Sequence, residues 1–233
     1  MLVFLIAYAG GLCVKYKLLR VNYTRKFNHF FLFFAPSLID KYFATSISAP
    51  FFLNEGLFFL GSFIIFIKPV REKFFFIGTA FSSFDRPEDR PYTLVWYIMQ
   101  EVVGYLVVMP ALIIYEKYNM LGLISIPILI SVFGDGLAEP VGVRFGKHRY
   151  LTHAILSKKK YLRTLEGSFM VFITSIIVIF LFYRSFNQIE FILTLLTVPI
   201  TVTLAEALAP HTLDNPLIVL VGFANILLIK RFY

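Results

Sequence analysis

The segment LGLISIPILISVFGDGLAEPVGVRFGK, Leu121 to Lys147, decides the class of this protein. Its first half is an apolar run that suits a bilayer. Its second half delivers Asp135 and Glu139, the glycines Gly134, Gly136, Gly142 and Gly146, and then Arg144, Lys147 and Arg149. An ionisable residue within a membrane helix costs about 2.5 to 3.5 kcal/mol on insertion scales, so each acid here marks a site before it marks a fold. Asp135 and Glu139 are four apart and share one helix face. Pro140 has no amide hydrogen, which leaves the Gly136 carbonyl without its helical partner. Carboxylates suited to a hard divalent cation, beside bases suited to phosphate, are the ingredients of phosphoryl transfer.

Outward from this segment the composition agrees. With 58% apolar side chains and 28 Phe in 233 residues, gathered in long blocks, the chain reads as a polytopic membrane protein. Its fold class is all-α, a single transmembrane helix bundle over residues 1 to 233. Eight spans are expected near residues 1 to 19, 27 to 44, 50 to 67, 93 to 115, 120 to 141, 168 to 184, 188 to 209 and 215 to 230. The net charge of +8 belongs with headgroups and cytoplasmic loops rather than with nucleic acid. Cys13, the single cysteine, leaves no intrachain disulfide and no multi-cysteine metal site. Ala7-Tyr8-Ala9 imitates a cleavage site, but nothing basic precedes Lys15, so the first helix is expected to stay uncleaved.

Orientation follows from the bases. Loops near 15 to 26, 68 to 92, 142 to 167 and 210 to 215 would be cytoplasmic. The first three hold every Lys and Arg except Lys41, Lys117, Arg184, Lys230 and Arg231. Both termini are then expected outside, and the polar residues gather on the cytoplasmic side.

The remaining candidates lie along that side. Arg25, Lys26 and His29 stand at the opening of the second span, where anchoring alone would explain the two bases. Glu101, two turns into the fourth span, is either a structural carboxylate or a site carboxylate. The stretch 84 to 91, with two prolines, is either a solvated connector or a loop over the bundle. Arg163, Glu166, Gly167 and Ser168 open the sixth span, where exposed amides suit a phosphate; the plainer reading is capping by Thr164 and Ser168. Glu206 sits among small residues near the end of the seventh span. Asp214 and Asn215 precede Pro216, an arrangement that caps a helix without any chemistry.

Taken together these residues resemble the polyprenol kinase family: dolichol kinases, phytol kinases and CTP-dependent diacylglycerol kinases. The central pattern Gly-Asp-x-x-Ala-x-x-x-Gly-x-x-x-Gly is matched by Gly134, Asp135, Ala138, Gly142 and Gly146. The element Arg163-Thr164-Leu165-Glu166-Gly167-Ser168, the opening Arg25, Lys26 and His29, and the late Glu206, Asp214 and Asn215 follow in the family's order. The compact phytol-kinase-like members are the nearest in length. The resemblance implies an enzyme that transfers the terminal phosphate of a nucleotide, commonly CTP, to a lipid alcohol with Mg2+ or another divalent cation. In that reading Asp135 and Glu139 hold the metal, and Asp135, Glu139 and Glu206 are the catalytic acids. Gly134, Gly142, Arg144, Gly146, Lys147, Arg163, Glu166, Gly167, Ser168, Arg25 and Lys26 face the nucleotide. The partners are the lipid alcohol, the nucleoside triphosphate and membrane lipids. Two other readings stay open: a CTP-dependent lipid-phosphate cytidylyltransferase, and a transporter of an anionic solute. No Gly-x-x-x-x-Gly-Lys-Ser/Thr loop is present.

Overall fold

A computed structural model describes residues 2–43, 61, 63–155 and 158–233. The chain, expected as one domain, divides into two compact units, residues 1–101 and 102–233.

The first unit begins with α1 (Leu2–Lys15) and α2 (Val21–Phe43). Gly11 lies directly against the Thr79 carbonyl, leaving no room for a Cβ. That close approach seats α1 on the short helix α4 (Phe75–Ser82), which follows α3 (Lys68–Lys73). A core of Ala7, Phe63, Phe66, Ala80, Phe81 and Phe84 fills the junction. From α2, Thr24 Oγ1 donates to the Ser83 carbonyl at 2.6 Å and Asn28 Nδ2 to Ser83 Oγ at 2.7 Å.

Two expectations change here. α2 already runs from Val21, with no Pro or Gly to delay it, so Arg25, Lys26 and His29 stand inside a helix rather than at its opening. Residues 68 to 92 are not a plain loop but α3, α4 and a 3-10 turn at Pro87–Asp89. The mixed charges after Phe84 pair among themselves: Arg86 with Asp89 at 2.7 Å, and Arg90 with Asp85 at 2.8 Å. Of the expected span 50 to 67, residues 50–60 and 62 lie outside the described residues, and Phe63–Phe66 is a 3-10 turn.

α5 (Thr93–Lys117) contains the boundary between the units, and Glu101 is the last residue of the first. The second unit continues with α6 (Ser125–Phe145), a two-stranded antiparallel hairpin of β1 (Arg149–His153) and β2 (Lys160–Thr164), then α7 (Leu165–Leu181), α8 (Gln188–Leu208) and α9 (Asp214–Phe232). Asn187 and Glu190 form a reciprocal capping box at the start of α8. Ile126, Ile130, Val171, Val198, Val202, Ile218 and Ile226 are fully buried and make the core.

The hairpin is the departure from an all-helical chain. Arg149-Tyr150-Leu151-Thr152-His153 alternates outward and inward, as a half-buried strand does, and residues 142 to 167 are therefore only partly loop. Among the described residues four helices are long and apolar enough to cross a membrane: Thr93–Lys117, Leu121–Phe145, Gln188–Leu208 and Asp214–Phe232. Leu2–Lys15 and Leu165–Leu181 are apolar but shorter. The protein is mostly helical and its composition and helices are those of a membrane protein.

Candidate functional site

The second unit gathers polar side chains from six elements, α6, β1, β2, α7, α8 and α9, at one end of its helices. Asp135 on α6 is 5% exposed, and its Oδ2 accepts from Asn215 Nδ2 at 3.0 Å. Asn215 Oδ1 in turn accepts from Ser131 Oγ at 2.7 Å, one turn before Asp135 on the same helix. Asn215 is thus spent on α6. It does not cap α9, which begins at Asp214 with Leu213 in the cap position.

β2 brings Arg163 into the same place. Its Nη2 lies 3.2 Å from Asp214 Oδ2 and its Nη1 lies 3.4 Å from Glu206 Oε1, while Nη1 also donates to the Glu206 backbone carbonyl. Burial works against its charge, but Asp214, Glu206 and Asp135 outweigh it and raise the pKa, so the guanidinium stays protonated. Glu206, 4% exposed, has Oε1 facing Arg163, whereas its buried Oε2 has no hydrogen-bond partner within ordinary geometry among the described residues. A buried carboxylate oxygen without a donor is costly, so this atom asks for a cation or a proton.

Tyr150 completes the cluster from β1. Its hydroxyl lies 2.7 Å from Ser168 Oγ, and burial, with the charge of Glu206, raises its pKa. Tyr150 and Ser131 were not read from the sequence. The alternating pattern of residues 149 to 153 carried a signal for Tyr150; nothing local pointed to Ser131.

Several expected phosphate contacts are used otherwise. A Cβ on Gly142 would meet Thr164 Oγ1 at 2.6 Å, and one on Gly146 would overlap Thr164 as well. A Cβ on Gly134 would stand 3.2 Å from Val171, and one on Gly167 2.8 Å from the Ala138 carbonyl. These glycines let α6 and α7 approach closely; they are filled by protein rather than open to a phosphate. The Gly167 amide is capped by Thr164 Oγ1 at 3.2 Å. Glu166 accepts from the backbone amides of Lys147 and His148 at 3.0 and 3.1 Å and from His148 Nδ1 at 2.8 Å. It thereby ties the start of α7 to the end of α6. Arg144 and Lys147 are exposed just beyond the α6 carboxylates, and Glu139 is half-buried one turn from Asp135. Arg25, Lys26, His29 and Glu101 belong to the first unit.

Among the described residues no three His, Cys, Asp or Glu side chains gather into a metal cage. Mg2+ does not require one, since it commonly takes one or two carboxylates and leaves the rest to phosphates and water. Asp135 and Glu139, one turn apart on α6, fit that use. An anion entering the cluster meets Asp135, Glu206 and Asp214 against one guanidinium, so a polyphosphate binds there only with cations of its own. No family model matches the chain, and no curated protein or solved structure does either.

Proposed function

We propose that the chain is a membrane-embedded lipid-alcohol kinase that transfers the terminal phosphate of a nucleoside triphosphate, with CTP the favoured donor, to an isoprenoid alcohol such as phytol or a polyprenol, or to diacylglycerol. The observation that carries this reading is the buried meeting of Arg163 with Glu206 and Asp214, beside Asp135, at one end of the helices. The order of these residues along the chain is the one that resembles the polyprenol kinases.

In this reading Asp135, aimed by Asn215, and Glu139 would hold Mg2+, which would supply positive charge to the donor phosphates. Arg163 faces the charge that builds on the transferred group, held in place by Asp214. The acceptor oxygen bonds to the terminal phosphorus as the bond to the bridging oxygen breaks, and the nucleoside diphosphate leaves with that electron pair. The hydroxyl proton goes to Glu206 Oε2, the buried oxygen without a donor among the described residues. Tyr150 and Ser168 line the same place and orient the acceptor hydroxyl. Positioning and electrostatics carry most of the rate.

Eight spans with both termini outside complete the reading and put the cluster on the cytoplasmic side. Arg163, expected in one cytoplasmic loop, and Asp214, expected in another, are in contact, which supports their lying on the same side of the membrane.

The test is mass spectrometry of lipid products after incubating the purified protein with mixed lipid alcohols, Mg2+ and gamma-phosphate-labelled CTP or ATP. The expected product is a labelled lipid monophosphate that disappears with Asp135→Asn. Conversion of lipid phosphates to CDP-lipids with pyrophosphate release, and no labelled alcohol, would replace the kinase by a cytidylyltransferase. No covalent product in either assay, with uptake of an anionic solute into vesicles, would replace it by a transporter.

A further inference from the structure

The first unit carries a largely apolar groove, with charged side chains at its wall, that the kinase reading does not use. Where the last turn of α1 meets α3 and α4, a groove of about 420 Å3 is lined by Lys15, Arg71, Glu72, Phe75, Thr79 and Ser82. Lys15 Nζ lies 4.2 Å from the centre of the Phe75 ring, and the Arg71 guanidinium carbon 4.0 Å from that of Phe81. An aromatic face steadies a cation without neutralising it. Among the described residues neither cation has an acid within ion-pair distance, because Glu72 turns to Lys68 at 3.8 Å. Two cations from separate elements therefore line one open space, and among the described residues neither has an ion-pair partner.

The surroundings say which anion fits. Phe74, Phe75 and Phe76 are exposed, and they directly follow Lys68, Arg71 and Lys73. Bases beside an apolar, aromatic surface are the composition of a segment lying at a membrane interface. Lys15 and Arg71 come from two different stretches expected on the cytoplasmic side, and the fold brings both to one groove. The cytoplasmic leaflet is where anionic headgroups are found.

We propose that this groove is a headgroup site for an anionic phospholipid of the surrounding bilayer, with the phosphate between Lys15 and Arg71 and the acyl chains along Phe75 and Phe76. It shares no residue with the Asp135 and Arg163 cluster and does not depend on the kinase reading. Both cations contribute, and the site favours a net negative headgroup because two bases line it against a single carboxylate, Glu72, which Lys68 already shares.

The full-length protein in detergent micelles is titrated with phosphatidylglycerol and, separately, with phosphatidylcholine, and retained lipid is counted by native mass spectrometry. The wild type is expected to retain phosphatidylglycerol in preference. Lys15→Gln or Arg71→Gln weakens retention about fivefold each, and the pair about thirtyfold. The charge-keeping pair Lys15→Arg with Arg71→Lys retains it, which separates charge from folding, and Lys117→Gln, in the second unit, changes nothing. Equal retention of phosphatidylcholine, or unchanged retention by the double glutamine variant, overturns the proposal. Displacement of the lipid by inorganic phosphate alone would make this a site for the free anion and would equally overturn it.

Discussion

Arg163 shows what a single side chain does here. It touches acids 43 and 51 residues further along the chain, and the three charges are mostly out of water. Removing one partner of such a group leaves the others uncompensated, which costs about 3 to 5 kcal/mol. Arg163→Gln is therefore expected to destabilise the protein by that amount in thermal denaturation in micelles. Adding Glu206→Gln should recover part of the loss, because one of the stranded charges is gone. If Arg163→Gln unfolds at the wild-type temperature, the acids are not relying on it. Arg163 was legible in the sequence as a base ahead of Leu165-Glu166-Gly167-Ser168. Glu206 and Asp214 were legible too, but their pairing with it was not, since no local pattern joins position 163 to positions 206 and 214.

At the scale of elements, the hairpin and its ties decide where Arg163 and Tyr150 stand. Tyr161 of β2 stacks on His211 with ring centres 3.5 Å apart, and the His211 amide donates to the His153 carbonyl at 2.8 Å. These contacts pin the hairpin to the connection between α8 and α9. At its base, Glu166 holds the Lys147 and His148 amides, and its pKa is lowered to about 2 by its own backbone amide and by those donors. A carboxylate with a depressed pKa contributes stability above its unfolded value of 4.5 and loses it as pH falls towards 2. Hydrogen exchange at Lys147 and His148, corrected for intrinsic rates, should therefore show full protection above about pH 4.5 that declines between there and pH 2. Glu166→Gln should lower that protection already at neutral pH. Protection that ignores both changes would mean the tie is not made. The sequence showed the glycines and Glu166 but led to phosphate for their purpose. A glycine permits close approach of anything, and only the fold shows that Thr164, Val171 and the Ala138 carbonyl are what approach.

For the whole molecule the open quantity is how many helices cross. α7, with 17 residues, stands at the lower limit of a spanning helix, about 17 to 25 residues. The proposed orientation separates its flanks, placing Lys158 inside and Arg184 outside. In a Cys13→Ser background, Lys158→Cys and Arg184→Cys, both exposed positions, should react with a membrane-impermeant maleimide from opposite faces of sealed vesicles. Labelling of both from one face would remove α7 from the spans and with it the eight-helix orientation.

The sequence by itself determined that this is a mostly helical membrane protein, because long apolar blocks have few other places to go, and it picked out the costly acids within them. It located four helices that the structure finds long and apolar enough to span, with boundaries within a few residues. Only the tertiary structure decided which polar groups meet: Asn215 with Asp135 across 80 residues, Arg163 with Glu206 and Asp214, and Tyr150 with Ser168. The physical reason is that apolar periodicity is a local property of the chain. A buried charge, by contrast, is satisfied by whichever distant donor the packing of close helices carries to it.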